Sequence, residues 1–182
     1  MELFRNSRLK IGNRILRKRA AKSRRKMLYS NFSSVKKIGI VWDASKKDDF
    51  PSLARFHQKM LDKNVEVIVL GYYNDKELPD LYTAIRFLTC IRNSDINIFH
   101  IPKSEEAESF IDKKFDVLID MNSDNVFTLS YISTLSKASF KVGLPNNDSD
   151  NSPFDLMIEL KKPVKAEEYL NHTLQYLEMI NS

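Results

Sequence analysis

Six short apolar segments rich in Val, Ile, Leu and Phe are the feature that most constrains how this chain can fold. They lie at 37–42, 65–72, 97–101, 115–121, 140–144 and 154–160. Most of them are separated by stretches long enough for a helical crossover, which favours parallel pairing with right-handed connections. Continuous apolar strands are typical of a sheet that is covered on both faces. The sequence therefore predicts a three-layer α/β domain, Rossmann-like or flavodoxin-like, with a mostly parallel sheet of five or six strands.

Apolar residues recur at helical spacing between these strands. Leu53, Phe56 and Met60 form the buried face of a helix after the first strand, with Pro51 in its first turn. Further helices are predicted over 104–114, 125–138 and 165–180, and the segment 80–92 is predicted to be a helix or an irregular cover.

The N-terminal segment differs in charge from the rest of the chain. Residues 1–37 hold 13 of the 29 Lys and Arg residues and a single acid, Glu2, so their formal charge is about +12. The other residues hold 16 bases against 23 acids, or about −7. The overall charge of +5 therefore combines a basic arm with a mildly acidic domain.

The basic arm has the composition of a helix. Residues 4–28 contain no Pro and one Gly, Gly12, and are rich in Arg, Lys, Leu, Ile and Ala. Most of these are good helix formers, so we predict a helix over 6–26. The chain then divides into a basic helical arm with its linker at 1–34 and an α/β domain at 35–182.

A segment of this charge predicts a polyanionic partner. Arginine binds phosphate in a bidentate manner and stacks on bases, which favours RNA over a purely electrostatic membrane contact. A helix on an anionic membrane needs bulky apolar side chains, which here are Leu3, Phe4 and the apolar residues of 9–16. A basic tail that aids solubility or docks on the acidic domain is a third alternative. The predicted nucleic-acid-binding residues are Arg5, Arg8, Lys10, Arg14, Arg17, Lys18, Arg19, Lys22, Arg24, Arg25 and Lys26.

Polar residues follow the predicted strands at their carboxyl ends, where open parallel sheets hold ligands. The predicted ligand site there consists of Asp43, Ser45, Asp120, Asn122 and Asp124. If the three carboxylates converged, they would suit a metal ion or acid–base chemistry. The alternative is that they cap helices and face solvent in loops.

The sequence argues against the common nucleotide-dependent enzymes. The first strand leads into DASKKDD, no Gly lies between Gly39 and Gly71, and no G-x-x-x-x-G-K-[ST] motif occurs. Gly-rich loops are the usual device for cradling phosphates, so a nucleotide-dependent oxidoreductase and a P-loop enzyme are both disfavoured. We expect no cofactor, and a non-enzymatic function is favoured over an enzymatic one.

The histidine and cysteine residues give no sign of a metal or catalytic site. His57, His100 and His172 are scattered without metal-ligand spacing, and Cys90 lies in the apolar context FLTCI. A single cysteine is typical of a reducing cytoplasm. There is no visible secretory signal and no run of roughly 18–20 apolar residues. The expected location is the cytoplasm, including the periphery of the inner membrane.

Two resemblances add to these predictions. The segments IGIVWDAS at 38–45, FDVLIDM at 115–121 and FDLMIEL at 154–160 resemble an uncharacterised family of small bacterial proteins with a basic N-terminal helix. That resemblance implies the same domain plan and carries no activity. The segment FDVLIDMNSDNVFTLSYISTLSKASFKVGLP at 115–145 resembles the N-terminal, acceptor-side Rossmann-like domain of heptosyltransferase-type glycosyltransferases. We expect a shared fold there, since such enzymes need a second Rossmann-like domain to hold the nucleotide-sugar.

The leading hypothesis is a non-enzymatic protein whose basic helix binds RNA. Association with the ribosome is one form of this hypothesis. The acidic domain would then bind a protein or a regulatory ligand. The alternative is a peripheral membrane protein linked to envelope glycan synthesis. An enzymatic hypothesis depends on the convergence of Asp43, Asp120 and Asp124.

Overall fold

The computed structural model describes residues 2–23, 25–29, 31–75, 77–145 and 152–180. The strands are β1 Lys37–Asp43, β2 Glu66–Tyr73, β3 Leu88–Arg92, β4 Val117–Asp120, β5 Phe140–Gly143 and β6 Leu156–Met157. The helices are α1 Glu2–Ala20, α2 Phe50–Asp62, α3 Asp80–Thr83, α4 Glu105–Asp112, α5 Phe127–Leu135 and α6 Ala166–Met179. Every strand pair is parallel, in the order β3-β2-β1-β4-β5-β6. This is the Rossmann order, and it confirms the predicted fold class.

The sheet is covered on both faces, as its continuous apolar strands predicted. Ile40 and Trp42 of β1 belong to the core that α2 and α6 cover, whereas Val41 belongs to the core beneath α4 and α5. The chain runs outward from β1 to β3 and then returns to place β4 beside β1. The pair β1–β4 is therefore the switch point of the fold, at whose carboxyl edge ligands bind in open α/β sheets.

The third strand is not where the sequence pattern placed it. The segment 97–101, predicted to be a strand, is a turn, because the side-chain oxygen of Asn97 accepts hydrogen bonds from the backbone N–H groups of Phe99 and Ile101 at 2.8 and 3.2 Å. His100 has a φ of 60°, which is incompatible with a strand. The strand is instead β3, within the segment predicted to be a helix or an irregular cover.

Helix α1 packs against α5 and ends earlier than predicted, at Ala20 instead of residue 26. Its inner side presents Leu9, Gly12, Leu16 and Ala20, of which Gly12 and Leu16 are buried. A Cβ at Gly12 would lie 2.6 Å from the carbonyl oxygen of Phe99, so a glycine is required for this close approach. Beyond Ala20 the sequence offers no large apolar side chain until residue 27, so no further burial supports a helix there.

The chain between α1 and β1 packs on the domain. Its last part, up to residue 34, was predicted to be a linker. Arg25 donates two hydrogen bonds of 2.7 Å to the carboxylate of Asp155, in a bidentate ion pair. The Tyr29 ring lies 4.8 Å from that of Phe140, and its hydroxyl donates a 2.6 Å hydrogen bond to the carbonyl of Leu177. The basic segment is thus attached to the domain at several points.

We predict that Arg25→Ala lowers the free energy of unfolding by about 2–4 kcal/mol, because it leaves the largely enclosed carboxylate of Asp155 without its cation. The side chain of Asp155 is 9% exposed. Chemical denaturation of the full chain measures the effect, with Lys26→Ala as the control, since Lys26 is exposed. Equal stability of the two variants would contradict a structural role for this ion pair.

Candidate functional site

A cavity of about 630 Å³ opens at the carboxyl edge of the sheet, between α1 and α5. Its size lies within the range of small-molecule sites, roughly 300–1,000 Å³. It is lined by Leu9, Asn13, Leu16, Arg17, Ala20, Asp120, Asn122, Asn125, Phe127, Ser130, Thr134, Leu144, Pro153 and Phe154. The cavity therefore lies beside the switch point of the fold, and α1 forms one of its walls.

Asp120 provides a buried carboxylate to this cavity. It ends β4, is 3% exposed, and its position in the strand alternation places it on the α5 side of the sheet, like Leu118. The backbone N–H of Asn122 donates a 2.6 Å hydrogen bond to its Oδ1. Burial raises the pKa of Asp120 to about 6, and the Ser133 hydroxyl, the Asn122 N–H and the charge of Lys141 offset part of that rise. A buried carboxylate with a perturbed pKa in a cavity is typical of a functional site.

Lys141 lies buried in β5 behind this carboxylate, and the sequence analysis missed it. Its ammonium group donates hydrogen bonds of 2.8 and 2.9 Å to the carbonyl oxygens of Ser133 and Thr134, near the end of α5. Burial lowers its pKa to about 7, with a further contribution from the charge of Arg25. A cation that satisfies free carbonyls at a helix C-terminus has a structural role. The one available signal was a lysine inside the apolar strand FKVGL.

Asn122 organises the loop that leads into α5. Its side-chain amide donates hydrogen bonds of 3.0 Å to the carbonyl of Val126 and to the hydroxyl of Ser130. Its side-chain oxygen accepts a 2.8 Å hydrogen bond from the backbone N–H of Val126. Asn125 in this loop has a φ of 54°, which Asn tolerates better than most residues. The polar groups of Asn122 therefore fix one side of the cavity.

The other three residues of the predicted strand-end site do not line the cavity. Asp43 accepts a 3.0 Å hydrogen bond from the backbone N–H of Ser45 and so shapes the turn after β1. Asp124 is exposed and forms a 2.9 Å ion pair with Lys46. Across the described residues, no group of three or more His, Cys, Asp or Glu side chains is arranged to hold a metal ion.

Two of the predicted nucleic-acid-binding residues are bound to the domain. Arg25 pairs with Asp155, and Arg19 donates hydrogen bonds of 2.8 and 2.9 Å to Glu108 and to the hydroxyl of Tyr131. Arg24 lies outside the described residues. The other predicted cations are exposed and have no carboxylate within 4 Å in the described part of the chain; they are Arg5, Arg8, Lys10, Arg14, Arg17, Lys18, Lys22 and Lys26.

A second, shallow and open groove runs between side chains along the outer side of α1. It is lined by Lys10, Asn13, Arg14, Arg17 and Lys18. Asn13 and Arg17 line both this groove and the inner cavity. The two concave features of α1 therefore share Asn13 and Arg17.

Comparison with known proteins gives a family without an assigned function. Residues 6–180 match the sequence model of DUF6913, a family of unknown function, which confirms the resemblance to an uncharacterised family. A search of curated proteins found no match. Among the described helices, none has the length and apolar character that crossing a bilayer requires.

We predict that Asp120→Asn changes how stability depends on pH. In the folded wild-type protein the pKa of Asp120 is about 6, above its ordinary value of 3.8, so the folded state retains a proton that the unfolded state has released. Wild-type stability should therefore fall relative to Asp120→Asn by about 2 kcal/mol as the pH rises from 4 to 6, out of roughly 3 kcal/mol for the full titration. Below about pH 3 the difference should become constant, because Asp120 is then protonated in both the folded and the unfolded state.

Urea denaturation of both proteins at a series of pH values measures this difference. Lys141, with a pKa of about 7, stays protonated across this range and contributes little to the slope. Asp112→Asn is the control, since Asp112 is an exposed carboxylate. Parallel stability curves for wild type and Asp120→Asn would contradict a raised pKa at Asp120.

Proposed function

The chain belongs to DUF6913, a family of unknown function, and we propose that this member binds RNA through the outer side of α1. The observation that carries this proposal is the exposed groove lined by Lys10, Asn13, Arg14, Arg17 and Lys18. RNA remains the favoured polyanion because arginine offers both bidentate phosphate contacts and stacking on bases.

The docking of α1 gives its cations a fixed direction. Leu9, Gly12, Leu16 and Ala20 face the domain, so the cations on the opposite side point to solvent. Lys10, Arg14 and Lys18 follow one another at intervals of four residues, or about 6 Å along the helix. A row of cations at this spacing suits a chain of phosphates better than it suits a single anion.

The cation row also has an energetic cost that a polyanion would remove. Like charges four residues apart destabilise a helix by about 0.2–0.5 kcal/mol per pair. Lys10 with Arg14, and Arg14 with Lys18, are two such pairs, and Glu2 is the only acid on α1. Binding of phosphates would replace this repulsion by attraction and by the release of counterions.

We predict that Lys10→Gln, Arg14→Gln, Arg17→Gln and Lys18→Gln combined reduce RNA affinity roughly 100-fold at low salt, because four phosphate contacts are lost. The slope of log K against log salt should become shallower by about 3. Fluorescence anisotropy with a labelled single-stranded RNA, at several salt concentrations, measures both quantities on the full-length protein.

The matched control removes four exposed cations elsewhere, with the combined substitutions Lys47→Gln, Lys59→Gln, Lys103→Gln and Lys161→Gln. Both variants have the same net charge, so a difference between them reports the α1 surface itself. An equal loss of affinity in the two variants would show non-specific attraction and would overturn the proposal. Intact helicity and thermal stability exclude unfolding as the cause.

A second candidate, a peripheral membrane protein, has one observation in its favour. Phe4, Ile11 and Ile15 on α1 are 73%, 45% and 36% exposed. Exposed apolar residues beside cations are typical of helices that lie on anionic membranes. However, Leu9 and Leu16, which the membrane hypothesis also used, face the domain, and the side chain of Leu3 lies outside the described residues. The apolar strip is therefore narrow, and this candidate ranks second.

Flotation with vesicles containing anionic lipid separates the two candidates. If the membrane is the partner, Phe4→Ser, Ile11→Gln and Ile15→Gln combined should abolish flotation, since the strip supplies the apolar insertion. RNA affinity should change little. The control combines Leu81→Gln, Ile98→Gln and Met179→Gln, which replace exposed apolar residues elsewhere. Absence of flotation by the wild-type protein would eliminate the membrane candidate.

A further inference from the structure

The cavity between α1 and α5 is lined by apolar and aromatic side chains together with one acidic and one basic residue. Phe127 and Phe154 contribute aromatic rings, and Leu16 and Leu144 contribute aliphatic side chains. Asp120 provides a carboxylate and Arg17 a guanidinium group. Sites for small ligands commonly combine an apolar lining with a few convergent polar groups.

Two glycines determine how closely the aromatic rings lie against the backbone. A Cβ at Gly143, the last residue of β5, would come within 2.3 Å of the ring of Phe154. A Cβ at Gly12 would come within 3.0 Å of the ring of Phe127. Each ring therefore occupies space that the side chain of any other residue in place of the glycine would need. Rings held in this way offer apolar surfaces to a planar ligand.

Asp120 retains capacity to accept hydrogen bonds from a ligand. Its Oδ1 accepts one bond from the N–H of Asn122, and the Ser133 hydroxyl acts on the same carboxylate, while a carboxylate has about four acceptor positions. Lys141 directs its ammonium to the carbonyl oxygens of Ser133 and Thr134, and no cation of the described residues lies within 4 Å of the Asp120 carboxylate. A buried carboxylate in this situation favours a ligand that donates hydrogen bonds.

Arg17 provides the opposite chemistry at the outer side. It is exposed, has no carboxylate within 4 Å in the described part of the chain, and lines both the cavity and the outer groove of α1. Lys10, Arg14 and Lys18 line that groove with it. A ligand in the cavity would therefore direct an anionic group outward, toward a row of cations.

We propose that the cavity binds a guanine nucleotide, with the base against Asp120 and the phosphate at Arg17. The Watson–Crick edge of guanine carries two adjacent donors, N1–H and N2–H, which match the two oxygens of a carboxylate. Uracil offers one N–H between two carbonyls, and adenine and cytosine each place a ring acceptor beside their amine. The carboxylate thus discriminates among the bases through their hydrogen-bonding edges.

This mode of binding agrees with the lack of a Gly-rich phosphate loop, because side chains of α1 would hold the phosphate. The nucleotide is either free or an unstacked residue of an RNA strand, and the second source rests on the proposed function. In the second case the groove cations would hold the flanking phosphates while one base enters the cavity.

Isothermal titration of the full-length protein with GMP, AMP and UMP tests the base preference. We expect GMP to bind at least tenfold more tightly than UMP, with AMP weaker than GMP. Equal affinity for the three nucleotides would overturn the proposal. It would also be overturned if GMP did not bind at millimolar concentration and RNA bound equally well whatever its bases.

Two variants act on the cavity by independent means. Asp120→Asn replaces one acceptor by a donor and should weaken GMP binding at least tenfold, while Ala20→Leu reduces the space of the cavity and changes no polar group. Asp112→Asn, which replaces an exposed carboxylate outside the cavity, should bind GMP as the wild type does. Thermal unfolding establishes that each variant is folded. Unchanged GMP affinity in both cavity variants would place the nucleotide elsewhere and overturn the assignment.

Hexaribonucleotides distinguish the two sources and separate this inference from the proposed function. A hexamer with one guanosine among uridines should bind more tightly than hexauridylate, and Asp120→Asn should remove that preference while retaining salt-dependent affinity. Binding of GMP without binding of either hexamer would support the cavity and reject RNA. Equal binding of both hexamers without binding of GMP would support RNA and reject the cavity.

Discussion

The close packing of α1 on α5 is the contact on which the rest of the candidate site depends. It requires Gly12, because a Cβ there would lie 3.0 Å from the ring of Phe127 on α5 and 2.6 Å from the carbonyl oxygen of Phe99 in the preceding loop. Leu16 is buried in the same contact. This contact closes one wall of the cavity and turns the cations of α1 outward at the same time. A helix with so narrow an apolar stripe gains its stability from docking rather than from its own propensity.

Asp120 at the end of β4, Lys141 within β5 and Asp155 just before β6 belong to a connected system of charged groups. Asp155 pairs with Arg25 and also accepts a 2.8 Å hydrogen bond from the backbone N–H of Lys141. Lys141 in turn satisfies the last carbonyls of α5, and its charge lowers the pKa of Asp120. Asp120 is the member of this system that lines the cavity. Structural pairing therefore accounts for the other members, whereas Asp120 also borders the cavity.

The strand pattern predicted most of the fold, because a buried parallel strand is a continuous apolar run that can be recognised from the local sequence alone. It failed at β3 for two reasons. The apolar run before residue 92 fits either a helix or a strand. The next apolar run is a turn, because the side chain of Asn97 accepts hydrogen bonds from the backbone of that run. Asp120 and Asn122 were predicted as site residues because they follow a strand. Phe154 and Asn13 were not predicted as site residues. Phe154 reaches the cavity by packing on Gly143, and Asn13 reaches it through the docking of α1.

Positive charge is concentrated in the N-terminal segment and negative charge in the domain, and the two together give the molecule one basic side. The domain beyond residue 37 carries about −7 and repels polyanions, whereas the segment before it carries about +12. Docking commits Arg19 and Arg25 to acidic partners on the domain and leaves the other described cations of residues 5–26 toward solvent. A polyanion is therefore attracted to one side of the molecule and repelled from the others, which orients its approach. Arg17 lies where that approach meets the cavity, so a strand held along α1 would present its bases at the concave site that contains the buried carboxylate of Asp120.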